Sequence, residues 1–249
     1  MKVEVVKGAA AIPALEVRTT GGKVVIDGGL DRKIHGCSRQ GLVADSDASF
    51  DVKNPPANLV VKVKGQDDVR MRDAPLVTIY TPMDVDVKAG SAVVGAIGRA
   101  NSVELGAGGC GDWTIANVTG SMDIAIGGSG DVRTGTAGAA SVSIGGSGDV
   151  RLGPVRDLDV NIGGSGEVNA VRVDGDLKVA IGGSGDVTVR GGAVGRVDVT
   201  IAGSGDVKVD ADVNSVDATI MGGGDVRVRS AKTVSKHIMG GGSVTVGPL

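Results

Sequence analysis

The second half of the chain repeats the phrase Gly-Gly-Ser-Gly-Asp-Val at a nearly constant interval. Successive copies of its acidic position are 19, 18, 18, 19, 20, 19 and 18 residues apart. A repeat of this length is too short for a pair of helices and predicts a solenoid, in which one coil of strands stacks on the next. We call these positions the Asp column: Asp112, Asp131, Asp149, Glu167, Asp186, Asp206, Asp225 and Ser243, the last of which carries a hydroxyl group instead.

Short alternating runs flank each copy of the phrase. In one copy Leu158, Val160 and Ile162 precede the glycines, polar residues separate them, and Val168 follows the acidic position. An apolar residue at every second position is typical of a half-buried strand. Because equivalent columns recur in every copy, we expect parallel, in-register stacking. The glycines are expected to supply positive φ angles and close backbone approach at a sharp corner.

These patterns predict an all-β fold: a parallel β-helix, right-handed and three-sided, with 18–20 residues per coil. A left-handed hexapeptide helix is the main alternative. It requires coils in near-strict multiples of six residues, and this chain shows neither that spacing nor a six-residue apolar period. An antiparallel sandwich is less favoured, since equal columns would not recur in register.

We expect one continuous domain with two parts. Residues 1–100 are interpreted as irregular, wider opening coils and a cap, with a larger loop around residues 31–41, and residues 101–249 as the regular coils. A cap is expected because an open solenoid end exposes unpaired strand edges to aggregation. At the other end, Pro248 is expected to block strand addition.

Composition excludes several classes of protein. The net charge is −3, no basic block occurs, and Phe50, Tyr80 and Trp113 are the only aromatic residues, so a nucleic-acid partner is not expected. No apolar run approaches the roughly 18 residues of a transmembrane helix. The segment Met1–Lys7 mixes acid and base with apolar residues, unlike a secretion signal. We expect Trp113 to fill the core near the cap rather than to bind a sugar.

The two cysteines, Cys37 and Cys110, match no zinc or redox motif. They could form one disulfide in an oxidising compartment, or they could be two unrelated thiols. A bond between them would close a loop of about 70 residues and contribute roughly 4 kcal/mol on the chain-entropy model.

The Asp column is the best candidate site. Stacked carboxylates about 4.8 Å apart repel one another, which raises their pKa values. Three arrangements could offset the repulsion: hydrogen bonds from backbone N–H groups, a neighbouring basic ladder, or a bound calcium ion. We favour backbone satisfaction and expect no metal or cofactor. The basic ladder would consist of Arg133, Arg151, Lys208 and Arg227. The weaker calcium hypothesis assigns as ligands Asp131, Asp149, Glu167, Asp186, Asp206 and Asp225.

No residue is predicted to be catalytic. The Gly-Gly-Ser-Gly phrase precedes a strand, whereas a phosphate loop precedes a helix N-terminus. A β-helix that cleaves acidic polysaccharides would need a distinct carboxylate pair or a cationic cluster, with aromatic side chains for the sugar. The acids here recur as a ladder instead. His35 and His237 are the only histidines, and we expect both to be solvated.

One family resemblance follows from the order of these motifs. The segment Leu76-Val-Thr-Ile-Tyr-Thr-Pro82, then Asp84-Val-Asp-Val-Lys-Ala-Gly-Ser91, then the Ile-Gly-Gly-Ser-Gly-Asp-Val copies, resembles a bacterial family of putative autotransporter adhesin heads, or GIN domains. The likeness covers about residues 12–249. It implies a parallel β-helix exported to the envelope or surface, thus extracytoplasmic, with no catalytic residues to carry over.

The sequence thus predicts a non-enzymatic, rigid scaffold that displays charged ladders to a surface polymer or a surface protein. Two alternatives stay open. One is self-assembly through the ends of the solenoid, and the other is a polysaccharide-acting enzyme.

Overall fold

The computed structural model describes residues 2–10, 12–20, 23–30, 34–39, 59–65 and 67–248. Strands account for nearly all regular structure in these ranges, and the one helical element is the 3-10 turn Met71–Asp73. The described residues contain no helix with the length and apolarity needed to cross a bilayer. The first seven strands are β1 (Lys2–Val6), β2 (Glu16–Thr20), β3 (Lys23–Asp27), β4 (Ile34–Arg39), β5 (Leu59–Val63), β6 (Val69–Arg70) and β7 (Leu76–Tyr80).

These first strands pair antiparallel: β1 with β7, β2 with β3, and β5 with both β4 and β6. Val61, Val63 and Met71 form a small core that packs against Ala92 and Val94. The expectation of opening coils is therefore wrong for the described residues before 84. Residues 34–39 of the expected loop form β4, while residues 40–58 lie outside the described ranges.

From Asp84 onward the pairing between strands is parallel, in register, and belongs to one fifteen-stranded sheet. The regular part therefore begins one coil earlier than residue 101. Its strands are β8 (Asp84–Ala89), β9 (Gly95–Ile97), β10 (Ser102–Ala107), β11 (Trp113–Ile115), β12 (Ser121–Ile126), β13 (Val132–Thr134), β14 (Ala137–Ile144), β15 (Val150–Ile162), β16 (Val168–Val173), β17 (Leu177–Ile181), β18 (Val187–Val189), β19 (Ala193–Ile201), β20 (Val207–Ile220), β21 (Val226–Ile238) and β22 (Val244–Val246).

Each coil has three sides. Face A is the long side that begins with β8 and continues through β10, β12 and β14 to the last part of β21. Face B is the short side from β9 through β11 and β13 to β22. A third side carries shorter parallel pairings, such as Val155 with Val173 and Val194 with Val213. A coil runs along face A, turns the glycine corner, and continues along face B and the third side. The described range 84–246 holds nine coils, so the predicted parallel solenoid is confirmed.

Aliphatic side chains from the three sides fill one continuous core. Val142, Val160, Val187 and Ile201 are examples with no solvent exposure. Trp113 lies in this core with 7% exposure, as expected, and its ring lies against Gly95 of coil 1. Ladders of identical residue types align because a parallel coil places each side chain directly over its equivalent in the previous coil.

Glycine at the corner is explained by close approach of successive backbones. A Cβ atom built on Gly146 would overlap the carbonyl oxygen of Gly128, and one built on Gly164 would overlap that of Gly146. The expected positive φ angles are wrong for these corners. Among the described glycines, φ is positive at Gly29, Gly65 and Gly192, none of which belongs to the repeated phrase. The corner therefore needs the absence of a side chain rather than a left-handed backbone.

Candidate functional site

The Asp column forms a ladder of hydrogen bonds from one coil to the next. The backbone N–H of one column residue donates to Oδ1 of the aspartate one coil earlier, as from Asp149 to Asp131 at 3.1 Å and from Asp225 to Asp206 at 2.8 Å. Further links join Asp131 to Asp112, Glu167 to Asp149, and Asp206 to Asp186. The column therefore satisfies one otherwise unpaired N–H at each such corner, which is the first of the three arrangements considered from sequence.

Glu167 is the exception in this ladder. Its own N–H donates to Asp149 at 3.0 Å, but among the described residues the N–H of Asp186 shows no bond to the Glu167 carboxylate. The extra methylene of glutamate moves its carboxylate away from the place that an aspartate reaches. At the other end, Ser243 donates both its N–H and its hydroxyl to Asp225 Oδ1, at 2.9 and 2.8 Å.

Burial and charge act together on Asp149. Burial is the main cause that raises the pKa of this carboxyl group, and the charges of Asp131 and Glu167 raise it further. The N–H of Glu167 and the charge of Arg151 act in the opposite direction. Repulsion within the column is therefore present at Asp149, but it ranks below desolvation.

The geometry of the Asp column does not favour cation binding. One oxygen of the column aspartates in these links already accepts a backbone N–H, and no three acidic, histidine or cysteine side chains within the described ranges converge as metal ligands would. The calcium hypothesis for Asp131, Asp149, Glu167, Asp186, Asp206 and Asp225 gains no support from this geometry and stays a prediction.

The basic ladder lies beside the Asp column on the outer surface of face B. Arg133 pairs in register with Arg151, and Lys208 pairs with Arg227. Where Arg227 meets the column the contact is loose, since its guanidinium group lies 4.0 Å from the Asp225 carboxylate. A solvent-exposed pair at this distance contributes little to stability, so the ladder mainly sets the charge of the surface.

The sequence did not predict a second set of hydrogen bonds, in which backbone N–H groups again donate to side-chain oxygens. At the corner that precedes face A, the N–H of Asp176 donates to Asp157 Oδ1 at 3.1 Å, and the N–H of Arg196 donates to Asp176 Oδ1 at 3.0 Å. At a different corner, between face B and the third side, Asn117 Oδ1 accepts from the N–H of Thr136 at 3.1 Å. The bond from Asp176, followed by that from Arg156, lowers the pKa of Asp157. Aspartate and asparagine do not recur at these positions in every copy, so the repeat pattern does not predict these hydrogen bonds.

A shallow depression of about 610 Å³ lies on face A across coils 3 to 7. Ser141 pairs in register with Asp123 on one side and Asp159 on the other, and its small side chain leaves the space between them. We call this feature the face A depression. Its charged lining residues are Asp123, Asp157, Asp159, Asp176, Asp198, Lys178 and Arg196. The surplus of carboxylates gives it an acidic character. The repeat pattern predicts outward polar residues on this strand but does not predict the depression.

The structure also places the remaining residues singled out in the sequence. Cys37 in β4 and Cys110 at the corner of coil 2 are joined by a disulfide, with their Cα atoms 5.9 Å apart. His237 is exposed on face A and pairs in register with Thr219. The side chain of His35 lies outside the described part of the chain.

Residues 154–247 match the model of the family described as putative auto-transporter adhesin, head GIN domain. The resemblance is confirmed for this segment. The head GIN match covers coils 5 to 9, whereas the likeness drawn from sequence extended back to about residue 12. Neither the search of curated proteins nor that of solved structures found a significant match.

Proposed function

We propose that this protein is a non-enzymatic binding scaffold, exported to the bacterial envelope or surface, whose ligand lies in the face A depression. The observation that carries the proposal is that depression, a concave surface of about 610 Å³ that extends over five consecutive coils. The head GIN match of residues 154–247 supports an adhesin-like role and an extracytoplasmic location.

The rigidity of the scaffold supports binding by a preformed surface. The strands behind the depression carry fully buried side chains such as Ile124, Val142 and Val160. Each of these strands is bonded to the coil before it and the coil after it. A surface held in this way loses little conformational freedom when a ligand binds. The entropic cost of binding is therefore small, which increases the affinity.

The spacing of the lining groups favours an extended ligand. Outward groups of face A recur about every 4.8 Å along the solenoid, because each coil contributes one residue to each column. A second shallow region of about 490 Å³ continues alongside, lined by small side chains such as Ser143, Ala180 and Thr200. A polymer that carries hydroxyl or cationic groups at regular intervals would meet an acceptor on successive coils.

The recurrence of the acids supports a binding role over catalysis. In the depression the carboxylates belong to columns shared by several coils, and Asp157 and Asp176 each accept a backbone N–H. The raised pKa of Asp149 would suit a general acid. However, Asp149 belongs to the Asp column, where its carboxylate accepts the N–H of Glu167. The enzyme alternative therefore has no specific residue in its favour.

The test is a binding array of glycans and bacterial surface proteins, followed by the variant Ser141→Arg. Arginine at position 141 would fill the depression between Asp123 and Asp159, and we expect at least a tenfold loss of affinity for the ligand found. The matched control is Thr188→Arg, which adds the same side chain to face B. Equal loss in both variants, or no ligand in the array, would contradict the proposal. Release of reducing ends from an acidic glycan would favour the enzyme alternative.

A further inference from the structure

The C-terminal end of the solenoid combines apolar and basic groups in a way that no other coil does. It consists of the third side of coil 8 and both faces of coil 9, which no described residue covers. We call it the C-terminal end surface. Its apolar members are Ala231, Val234, Ile238, Val244 and Val246, and its basic members are Arg229, Lys232, Lys236 and His237.

The apolar part is exposed although it continues the core columns. Val234 is 43% exposed and Val246 is 42% exposed, whereas Val216 and Val228, their equivalents one coil earlier, are 2% and 0% exposed. Met239 at the adjoining corner is 60% exposed. Met221, its equivalent one coil earlier, is 46% exposed, whereas the coils before that have glycine or alanine at this position, such as Gly163 and Ala202. The last coils therefore add apolar surface where the others have almost none.

The charge of this end differs from that of the rest of the chain. Residues 226–249 contain four arginine and lysine residues and no aspartate or glutamate, a net charge of +4. The whole chain carries −3, so the remaining residues carry −7. Arg229 is paired with Asp210 and Asp212. Lys232 and Lys236 are exposed and form no ion pair within the described ranges.

Lys236 argues against a second copy as the partner. It pairs in register with Ala218, in a column whose other members, such as Val199 and Val179, point into the core. Stacking another coil on this end would bury the ammonium group over an apolar column, which is costly without a counter-charge. An inward-pointing charge on an edge strand is a recognised protection against strand addition.

We propose that the C-terminal end surface docks on an anionic lipid bilayer. Lysines beside exposed valine and methionine fit such a surface, because anionic headgroups attract the cations and the interface accepts the apolar side chains. A soluble polyanion would pair with the lysines but would leave Val234, Val246 and Met239 in water. The face A depression, on coils 3 to 7, would stay free in this arrangement, so the proposal does not depend on the face A ligand.

The experiment is sedimentation of the full chain with vesicles of phosphatidylcholine alone or with 30% phosphatidylglycerol. We expect binding to the anionic vesicles only, and weaker binding at 0.5 M salt because the charges are then screened. Lys232→Glu with Lys236→Glu should weaken binding at least tenfold, since each cation near such a surface contributes roughly fivefold. Arg151→Glu with Lys208→Glu, on face B, makes the same change in charge and should bind almost as wild type.

The variant Met239→Ser distinguishes a lipid bilayer from other partners. We expect it to weaken vesicle binding several-fold with all charges intact. Equal binding to both kinds of vesicle, no binding, or equal loss in both charge-reversed pairs would overturn the proposal. So would full competition by soluble polyphosphate together with an unchanged Met239→Ser variant, which would indicate a soluble polyanion. Concentration-dependent self-association that Lys232→Glu with Lys236→Glu abolishes would indicate a second copy instead.

Discussion

The described residues before 84 and the nine coils after them use similar strands in opposite ways. In the first region strands such as β2 and β3 pair antiparallel, and β4–β6 enclose a small core of Val61, Val63 and Met71. In the second region every pairing between strands is parallel, and one aliphatic core runs from Ile97 to Val228. Both regions alternate apolar and polar residues. The difference teaches that alternation predicts a strand but not its direction, whereas repetition at a fixed interval predicts parallel stacking.

The two regions also depend on different contacts. Each coil rests on its neighbours through pairings about 18 residues apart, so the solenoid is stabilised along its whole length. The β4–β6 region is attached to coils 1 and 2 through the Cys37–Cys110 disulfide and the contact with Ala92 and Val94. We therefore expect the two regions to respond differently to the same perturbation.

Removal of the disulfide should have the largest effect, and on the first region alone. Replacement of Cys37 and Cys110 by serine opens a loop of 73 residues, which corresponds to about 4 kcal/mol on the chain-entropy model. We expect β4–β6 to lose amide protection in hydrogen exchange while coils 3–9 keep theirs. A reductant should reproduce this in the wild type and leave the serine variant unchanged. Loss of protection in all coils together would mean that the two regions are one cooperative unit.

Gly146→Ala should be the most damaging single change in the solenoid. Its Cβ atom would overlap the Gly128 carbonyl oxygen, and rigid stacked backbone cannot move aside easily, so we expect a loss of about 3 kcal/mol in urea unfolding. The control is Gly223→Ala at a corner with no atom within 4 Å of the added methyl group. It should be neutral or slightly stabilising because alanine restricts the unfolded chain. Equal destabilisation by both changes would show that close approach is not the reason for glycine.

Asp206→Ala should lower the free energy of unfolding by about 1 kcal/mol, because it leaves the N–H of Asp225 without its acceptor. Asp123→Ala removes an exposed carboxylate that accepts no backbone N–H among the described residues, and its effect on urea unfolding should be close to zero. Glu167→Asp should act in the other direction and stabilise by up to about 1 kcal/mol, because it would supply the missing link to Asp186. Indistinguishable unfolding midpoints for all three would mean that the ladder contributes nothing.

The smallest expected effect is a pH dependence at Asp149. A pKa raised in the folded state means that the protonated form is favoured there. Stability from this group is therefore full below the unfolded pKa, near 3.8, and is lost as the pH rises through the folded value. Asp149→Asn should be more stable than wild type at pH 7, and the difference in stability should disappear below pH 3.8.

Asp157, whose pKa is lowered, should behave in the opposite way. Asp157→Asn should be less stable than wild type at pH 7, since the charged form of Asp157 is the one stabilised in the folded state. Thermal melts at a series of pH values would test both, and the same sign for both would contradict this account.

Much of the solenoid could be predicted from sequence because its repeats carry the information redundantly. Each copy shows the same inward valines and the same corner glycines, so the coil length, the parallel direction and the aliphatic core follow from aligning them. The sequence does not identify coil 1 as a regular coil, because Asp84–Ala89 is not followed by a copy of the glycine phrase. The antiparallel pairing of β1 with β7 joins residues 70 to 78 positions apart, and no repeated column indicates it.

The chain by itself determined the period, the strand direction after residue 101 and the identity of the Asp column, because in a stacked coil each sequence repeat becomes one geometric layer. Only the tertiary structure decided how the column is satisfied, where Ser141 leaves a depression, and that Lys236 occupies a core-facing position in the ninth coil. These features depend on distances between coils and on the side chains that lie in the adjacent layers. The physical reason is that a repeated pattern specifies a side chain's column, while its neighbours above and below set its exposure, charge and partners.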